Sequence, residues 1–471
     1  MRVLDHTSAS CESGTLHKYI LMIVPHEPKL DPRIKWVTEL CAQIGHTHII
    51  SFSNLNEEVP QEHNGMVRTE RVHTVNHTDE NRLPKSYRKS TFTLWDWIRK
   101  SKLVSRLKEL DEHSLQSSLI SGDKEYTSTL SGKFTIRRLL LAVLEQIISL
   151  YRFILTWKYN SLIIRTLYHR AKAIAIAPKV VICHDLLALA AGVKVKKLYQ
   201  VPLIYDSHEF WPEADLKAKI WGKKISIFIE RKLIRQADAV ITVTPQLAQQ
   251  LESLYGISGV LSVPNAEPTP SGVTPSFNYP QSFPIKFLFQ GQVAPGRGID
   301  ELLNAWSIFD DDRAVLLVRA PENLYLASLR SKYMSAIRKG YILFVPPVTE
   351  DELIHVASFS DVGIIPYKGP SLNHIYACPN KLSQYMQAGL AILCNVDLEF
   401  VSKMIIENDC GCIYNSREPG DLFNAIRFLI ENTERLQSMK RNAYNFARTE
   451  FNWSVQSTDY FQEIKTLFEK Y

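Results

Sequence analysis

Short apolar runs, each closed by a polar or turn cluster and followed by a helical pattern, recur along this chain, and that alternation is the mark of βαβ units built on a parallel sheet. The first run is YILMIVP, residues 19–25. A helix follows from Asp31 to Gly45, with Pro32 at its start and Gly45 just past its end, and leads into the strand THIISF. The pattern fades over residues 76–132, a polar stretch read as helices and loops laid over the sheet. It returns with PKVVICHD at 178–185 and continues through PLIYDSHE, ADAVITV and GVLSVPN, with helices between them. Six prolines between residues 264 and 284 then interrupt all periodicity. Beyond them a second series starts at IKFLFQG, 285–291, and runs through AVLLV, YILFV, DVGIIPY, AILCN and GCIY.

Two Rossmann-like α/β domains in tandem result. Their expected boundaries are 1–267 for the first, 268–284 for a proline-rich linker and 285–450 for the second. The 471 residues suit two cores, and 45% hydrophobic content gives each enough apolar surface to bury. A net charge of +6, spread without a long basic arm, argues against nucleic acid and suits anionic small molecules or an anionic membrane surface. Cys11, Cys41, Cys183, Cys378, Cys394, Cys410 and Cys412 make no CxxC pair and no metal-ligand spacing with histidine, which points to a reducing compartment. The polar N-terminus lacks the apolar core of a signal peptide, so a cytoplasmic location is expected. The segment LLLAVLEQIISLYRFIL, 139–155, is too short to span a bilayer, and Glu145, Ser149 and Arg152 draw a narrow polar stripe along it. It reads either as a packed helix or as an interfacial one, peripheral at the inner face of the membrane.

In open parallel sheets ligands sit at the carboxyl ends of the strands, so His184, Asp185, Asp206, His208, Glu209 and Asn265 face one mouth. In the second domain FQGQVAPGRGIDELLNAW, 289–306, is a glycine-rich turn opening a helix. Gly291 and Gly296 allow close backbone approach, and Arg297 stands before the helix dipole, an arrangement that suits a diphosphate as well as a plain turn. The stretch YKGPSLNHIYACPNKLSQYMQAGLAILC, 367–394, has Pro379 in the first turn of a helix from Asn380 to Ala388, with Gly389 as its stop. Ser371, Asn373 and the free amides before that helix can hold phosphate oxygens, with Lys381 adding charge or lying solvated at the surface. The run Asp310, Asp311, Asp312 sits in a turn and reads as solvated rather than as a metal site.

Taken in order, HDLLALAAG, PLIYDSHEFWPE, ERKLIRQADAVITVTPQLAQQL, VPNAEP, GRGIDELLNAW and CPNKLSQYMQAGLAIL resemble glycosyltransferase family 4, of the GT-B fold. The resemblance implies two Rossmann-like domains facing a central cleft, with the segment 451–471 crossing back to the first. It implies a retaining hexosyltransferase that uses a nucleotide sugar, UDP- or GDP-linked, needs no metal or other cofactor, and acts on a glycan or lipid-linked acceptor in surface polysaccharide synthesis. By the same resemblance Arg297 and Lys381 would grip the donor diphosphate, His184 would lie near the transferred sugar, and Asp185, Asp206, His208 and Glu209 would line the acceptor side. Gly291, Gly296, Ser371, Asn373, Tyr376, Asn380 and Gln384 would complete the donor site.

Two glutamates common in the family are replaced here by Tyr376 and Gln384, a basic residue after Gly291 is replaced by Gln292, and Arg319 with Ala320 stand where a glycine-rich strand end is common. Gln384 can still hydrogen-bond a ribose hydroxyl, whereas Tyr376 cannot act as a carboxylate. Two other readings therefore stand beside the transferase: a catalytically weak nucleotide-sugar-binding partner of another transferase, and a nucleotide-sugar epimerase of the same fold.

Overall fold

The computed structural model describes residues 18–53, 62–72, 154, 156–174, 176–214, 220–275, 277, 284–309 and 311–471. The polar stretch 76–132, nearly all of the apolar segment 139–155 and Asp310 lie outside the described residues. Among the described residues no helix is long and apolar enough to cross a membrane.

Among the described residues fourteen strands form two sheets. In the first domain they are β1 (Tyr19–Val24), β2 (His46–Phe52), β3 (Glu62–Asn64), β4 (Val67–Val72), β5 (Val180–His184), β6 (Leu203–Ser207), β7 (Ala239–Thr242) and β8 (Leu261–Ser262). In the second they are β9 (Ile285–Gln290), β10 (Ala314–Arg319), β11 (Ile342–Val345), β12 (Val362–Ile365), β13 (Ala391–Asn395) and β14 (Gly411–Tyr414). The first sheet runs β3-β4-β2-β1-β5-β6-β7-β8 and the second β11-β10-β9-β12-β13-β14. All pairs are parallel except β3 with β4, a two-strand edge that the sequence reading did not anticipate.

The strand order reverses between β1 and β5 in one sheet and between β9 and β12 in the other. Helices leave to opposite faces at such a switch point, which opens a crevice at the strand ends. Both crevices face each other.

The helix Pro32–Ile44 begins as its residue types require. Asp31 caps it by accepting a hydrogen bond from the Arg33 amide at 3.0 Å, Pro32 fills a position that needs no donor, and Gly45 follows the last turn. It buries Trp36, Val37 and Leu40 against Trp453, Tyr460, Ile464 and Leu467. The latter four belong to the segments Trp453–Gln456 and Thr458–Lys470, so residues beyond the second domain complete the core of the first. The Trp36 and Trp453 rings lie 5.3 Å apart.

Candidate functional site

A cleft of about 900 Å³ lies between the two sheets. Its walls come from all four strands at the switch points: His26 follows β1, Asp185 follows β5, Gly291 follows β9 and Tyr367 follows β12.

The first-domain wall rests on a buried charge network. Arg33, entirely buried, clasps Asp206 with Nε 3.0 Å from Oδ2 and Nη2 2.9 Å from Oδ1, and donates through Nη1 to the Val263 carbonyl at 2.7 Å and to Asn265 Oδ1 at 3.1 Å. Tyr460, reaching in from the crossing segment, donates to Asp206 Oδ2 at 3.2 Å. Despite burial, Arg33 and then His208 hold the Asp206 carboxyl far below its usual range. His208 donates through Nδ1 to Asp31 Oδ2 at 2.7 Å, its Nε2 lies 3.0 Å from His184 Nδ1, and its backbone amide donates to Asp185 Oδ1 at 3.2 Å. Burial favours a neutral ring, but Asp31, Asp206 and Asp185 outweigh it and raise His208 well above an ordinary histidine. Burial pushes His184 the other way. One cationic ring and one neutral ring thus share the site, consistent with the 3.0 Å contact between them.

His184, Asp206 and His208 bring three potential metal ligands within 4.8 Å of one another. Arg33, however, binds both oxygens of Asp206, and a dication there would face a buried guanidinium. The network is balanced by the protein's own charges.

The second-domain wall is cationic. Lys381 is only 7% exposed, and its ammonium sits 4.4 Å from the Phe289 ring centroid, 4.3 Å from that of Tyr367, and in hydrogen-bond contact with the Tyr367 hydroxyl. No carboxylate pairs with it among the described residues, and burial lowers its pKa, with Arg297 adding to the effect. Against burial, Lys381 and Arg297 draw the Tyr367 phenol below its ordinary pKa. Arg297 lies exposed over the same ring at 5.5 Å. The loop between them needs glycine. Gly291 has φ 120°, and Gly298, the cap of the Ile299–Ser307 helix, has φ 76°, where a Cβ would come within 1.7 Å of the Pro366 carbonyl oxygen.

Between the walls, Gln384 is committed to other side chains. It accepts from Gln290 Nε2 at 3.1 Å and donates to Glu267 Oε1 at 3.0 Å, while Arg319 reaches Gln290 Oε1 at 3.4 Å. Burial raises Glu267 to about 7. Further bonds tie the domains together: Phe210 N to Asn373 Oδ1 at 2.6 Å, Leu372 N to Glu213 Oε2 at 2.7 Å, and Asn265 Nδ2 to the Cys378 carbonyl at 3.1 Å.

Of the residues picked from sequence, Asp185, His208, Glu209, Gly291, Gly296, Arg297, Asn373, Asn380, Lys381 and Gln384 line the cleft. Four do not. His184 and Asp206 are fully buried behind His208, so the histidine of the cleft wall is His208, and His184 lies in a second layer. Ser371 donates to the Glu213 carbonyl at 3.3 Å, and Tyr376 offers its carbonyl to Thr244 Oγ1 at 2.8 Å, so both belong to the seam between domains. Lys381 is buried rather than solvated. Pro379 is the cap of the Asn380–Gln387 helix and lies just outside its first turn. Asp311 binds its neighbour Arg313 at the surface. Arg33, Asp31, Tyr367, Glu267 and Tyr460 were missed. Asp31 and Arg33 follow the end of β1 and were within reach of the same strand-end rule that picked Asp185.

Residues 126–266 match Glycosyltransferase Family 4. The chain is 25% identical over 189 residues to an uncharacterized glycosyltransferase, MJ1069, of Methanocaldococcus jannaschii; the aligned stretch spans 40% of this chain and 45% of that protein's length. Its fold resembles sucrose-phosphate synthase from Thermosynechococcus elongatus at a TM-score of 0.63 and 15% identity, covering 96% of this chain and 100% of the other. It also resembles HepE of Anabaena, solved in complex with UDP, at a TM-score of 0.58 and 11% identity, covering 95% and 100%. The two facing sheets form the GT-B fold.

Proposed function

We propose that this chain is a retaining glycosyltransferase that moves a hexosyl group from a nucleotide sugar, held by the second domain, to a glycan, glycolipid or lipid-linked acceptor entering along the first. The observation that carries this reading is Lys381: a buried ammonium with no carboxylate partner among the described residues, beside Gly291 and close to Arg297 at a switch point, is a site prepared for an anion. HepE, similar in fold, has been solved with UDP, and also with UDP and glucose, which favours a nucleoside diphosphate as that anion.

In the reaction the bond from the anomeric carbon to the diphosphate breaks and its electron pair stays on the diphosphate. Lys381, Arg297 and the loop amides before the Asn380–Gln387 helix are fixed donors aimed at that growing charge, so the residues themselves supply what a metal would otherwise provide. Retention follows if the acceptor attacks the face from which the diphosphate leaves. A cytoplasmic place at the inner face of the membrane, and a role in surface polysaccharide synthesis, fit a lipid-linked acceptor.

A second reading has its own support. Tyr376 carries a phenol, and Gln384 spends its amide on Glu267 and Gln290, so neither replaces the missing carboxylates. A nucleotide-sugar-binding partner of another transferase would look the same. The deciding experiment is a thermal-shift screen of UDP, GDP, ADP and their common sugars with chelator present, repeated on Arg297→Ala, followed by a nucleotide-release assay. A shift with one nucleotide that is lost in the variant, together with turnover, supports the transferase. Binding without turnover supports the partner, and no shift with any nucleotide overturns both.

A further inference from the structure

Three helices stand in a row over one face of the first sheet. The strands β5, β6 and β7 follow one another across that sheet, so right-handed crossovers put the Asp185–Tyr199 and Ile220–Ile234 helices side by side on the same face. The helix 156–173 completes the row: the Tyr199 hydroxyl donates to the Lys172 carbonyl at 3.3 Å, and the Lys194 ammonium lies 5.6 Å from the Tyr168 ring centroid. Inward, the three helices bury Ile163, Leu167, Val193 and Ile234 in one core.

Their outward faces share one chemistry. In the helix 156–173, Lys158, Leu162, Arg165, His169 and Lys172 are exposed at spacings of three and four, which makes a single stripe opposite Ile163 and Leu167. The second helix exposes Lys194, Lys197 and Leu198, and the third exposes Lys224, Phe228, Arg231 and Lys232. Phe228 is 57% exposed, with the Lys232 ammonium 4.2 Å from its ring centroid. The three helices hold only two carboxylates, and neither reaches this surface: Asp185 lines the cleft, and Glu230 is buried between Tyr205 and Tyr255. On the second domain exposed cations are answered by acids, as in Lys332 with Asp300, Lys368 with Glu301 and Arg435 with Asp409. Arg165, Lys172, Lys197 and Lys232 make no ion pair among the described residues.

We propose that this face is a docking surface for an anionic lipid bilayer, a proposal that deepens the membrane placement given above and rests on it. Unanswered positive charge on three parallel helices draws the protein to anionic headgroups, and the long stems of the lysines and arginines let their charges stay at headgroup level. Leu162, Leu198 and Phe228 then enter the boundary with the acyl chains, so the helices lie along the surface without crossing it. A nucleic-acid backbone would answer the same charges and leave Leu162 and Leu198 in water, so the apolar residues among the cations favour lipid.

The test is co-sedimentation of the full chain with vesicles of phosphatidylcholine alone and of phosphatidylcholine with about one-third phosphatidylglycerol, at low and at high salt, beside binding to heparin. Wild type is expected to bind the anionic vesicles, to release them as salt rises and to bind neutral vesicles far more weakly. Each cation near such a surface is worth about 5-fold in affinity, so joint Arg165→Gln, Lys194→Gln, Lys197→Gln and Lys232→Gln changes should weaken vesicle binding on the order of several hundred-fold. Leu198→Ser with Phe228→Ser should weaken vesicle binding roughly 10-fold and leave heparin binding unchanged. All these side chains are exposed, and both variants should keep the wild-type melting midpoint and nucleotide thermal shift. Wild-type vesicle binding by the glutamine variant overturns the proposal and leaves the membrane placement to another part of the chain. Unchanged vesicle binding by the serine variant overturns the bilayer as partner in favour of a soluble polyanion. A wild type that binds neither vesicle overturns the membrane placement and the proposal together, while the transfer reading still rests on nucleotide binding and turnover.

Discussion

Replacing Lys381 by methionine should make the empty protein more stable and its nucleotide affinity lower. The lysine is 7% exposed, and among the described residues its charge is met only by two aromatic faces and one phenol. Removing an ammonium from water costs several kcal/mol. Cation–π contact returns about 0.5–2 kcal/mol per ring and the hydroxyl about 1 kcal/mol, which leaves a deficit of about 1–3 kcal/mol. Methionine has nearly the same length and no charge, so it fills the slot between Phe289 and Tyr367 without that deficit. At roughly 2–4 °C per kcal/mol for domains of this size, the midpoint should rise by about 2–12 °C. A charge-assisted bond to phosphate contributes about 1.5–3 kcal/mol, so the same variant should bind its nucleotide about 10- to 150-fold more weakly. Differential scanning fluorimetry without ligand and titration calorimetry with the nucleotide measure the two effects separately. A variant that melts lower than wild type yet binds nucleotide equally well would refute the reasoning, because Lys381 would then be a structural residue.

Three other outcomes are expected. Arg33→Met leaves Asp206 buried without its guanidinium and should cost about 3–5 kcal/mol in urea unfolding, most of it recovered when Asp206→Leu is added. Glu230, fully buried between the hydroxyls of Tyr205 and Tyr255, has its pKa raised by burial to about 7. Because the folded value lies above the unfolded one, stability is fullest below pH 4.5 and falls as pH rises towards 7, so Glu230→Gln should unfold later than wild type at pH 8, by about 2–4 kcal/mol, with the gap closing near pH 5. Gly298→Ala should lose about 1–3 kcal/mol and most of the nucleotide thermal shift, since its Cβ would push the Pro366 carbonyl and the loop behind it out of place.

Much of the architecture was legible because it depends on local patterns. Apolar runs ended by polar clusters marked the central strands, and Asp31, Pro32 and Gly45 marked the helix between β1 and β2. The β3 and β4 edge escaped because Glu62–Asn64 and Val67–Val72 are short and carry charge inside the pattern. Site residues were legible to the extent that a strand end determines direction. His184 is the last residue of β5 and turns inward, while His208 stands one place beyond the end of β6 and reaches the cleft. A shift of one residue separates the two, and sequence does not resolve that. The burial of Lys381 depends on Phe289 and Tyr367, brought together only by the second sheet. Glu267 lay hidden in a proline-rich stretch and gains its place from Gln384 and Ser383.

The crossing segment has a consequence for how this chain is made. Trp453, Tyr460, Ile464 and Leu467 are core residues of the first domain, but a ribosome reaches them only after the entire second domain has been synthesised. Until then Trp36 and Leu40 lack their cover, and the Arg33–Asp206 pair lacks the Tyr460 hydroxyl. The nascent first domain must therefore wait, incompletely closed, while its neighbour folds, and a premature stop before Trp453 would damage the half of the molecule farthest from it in the message.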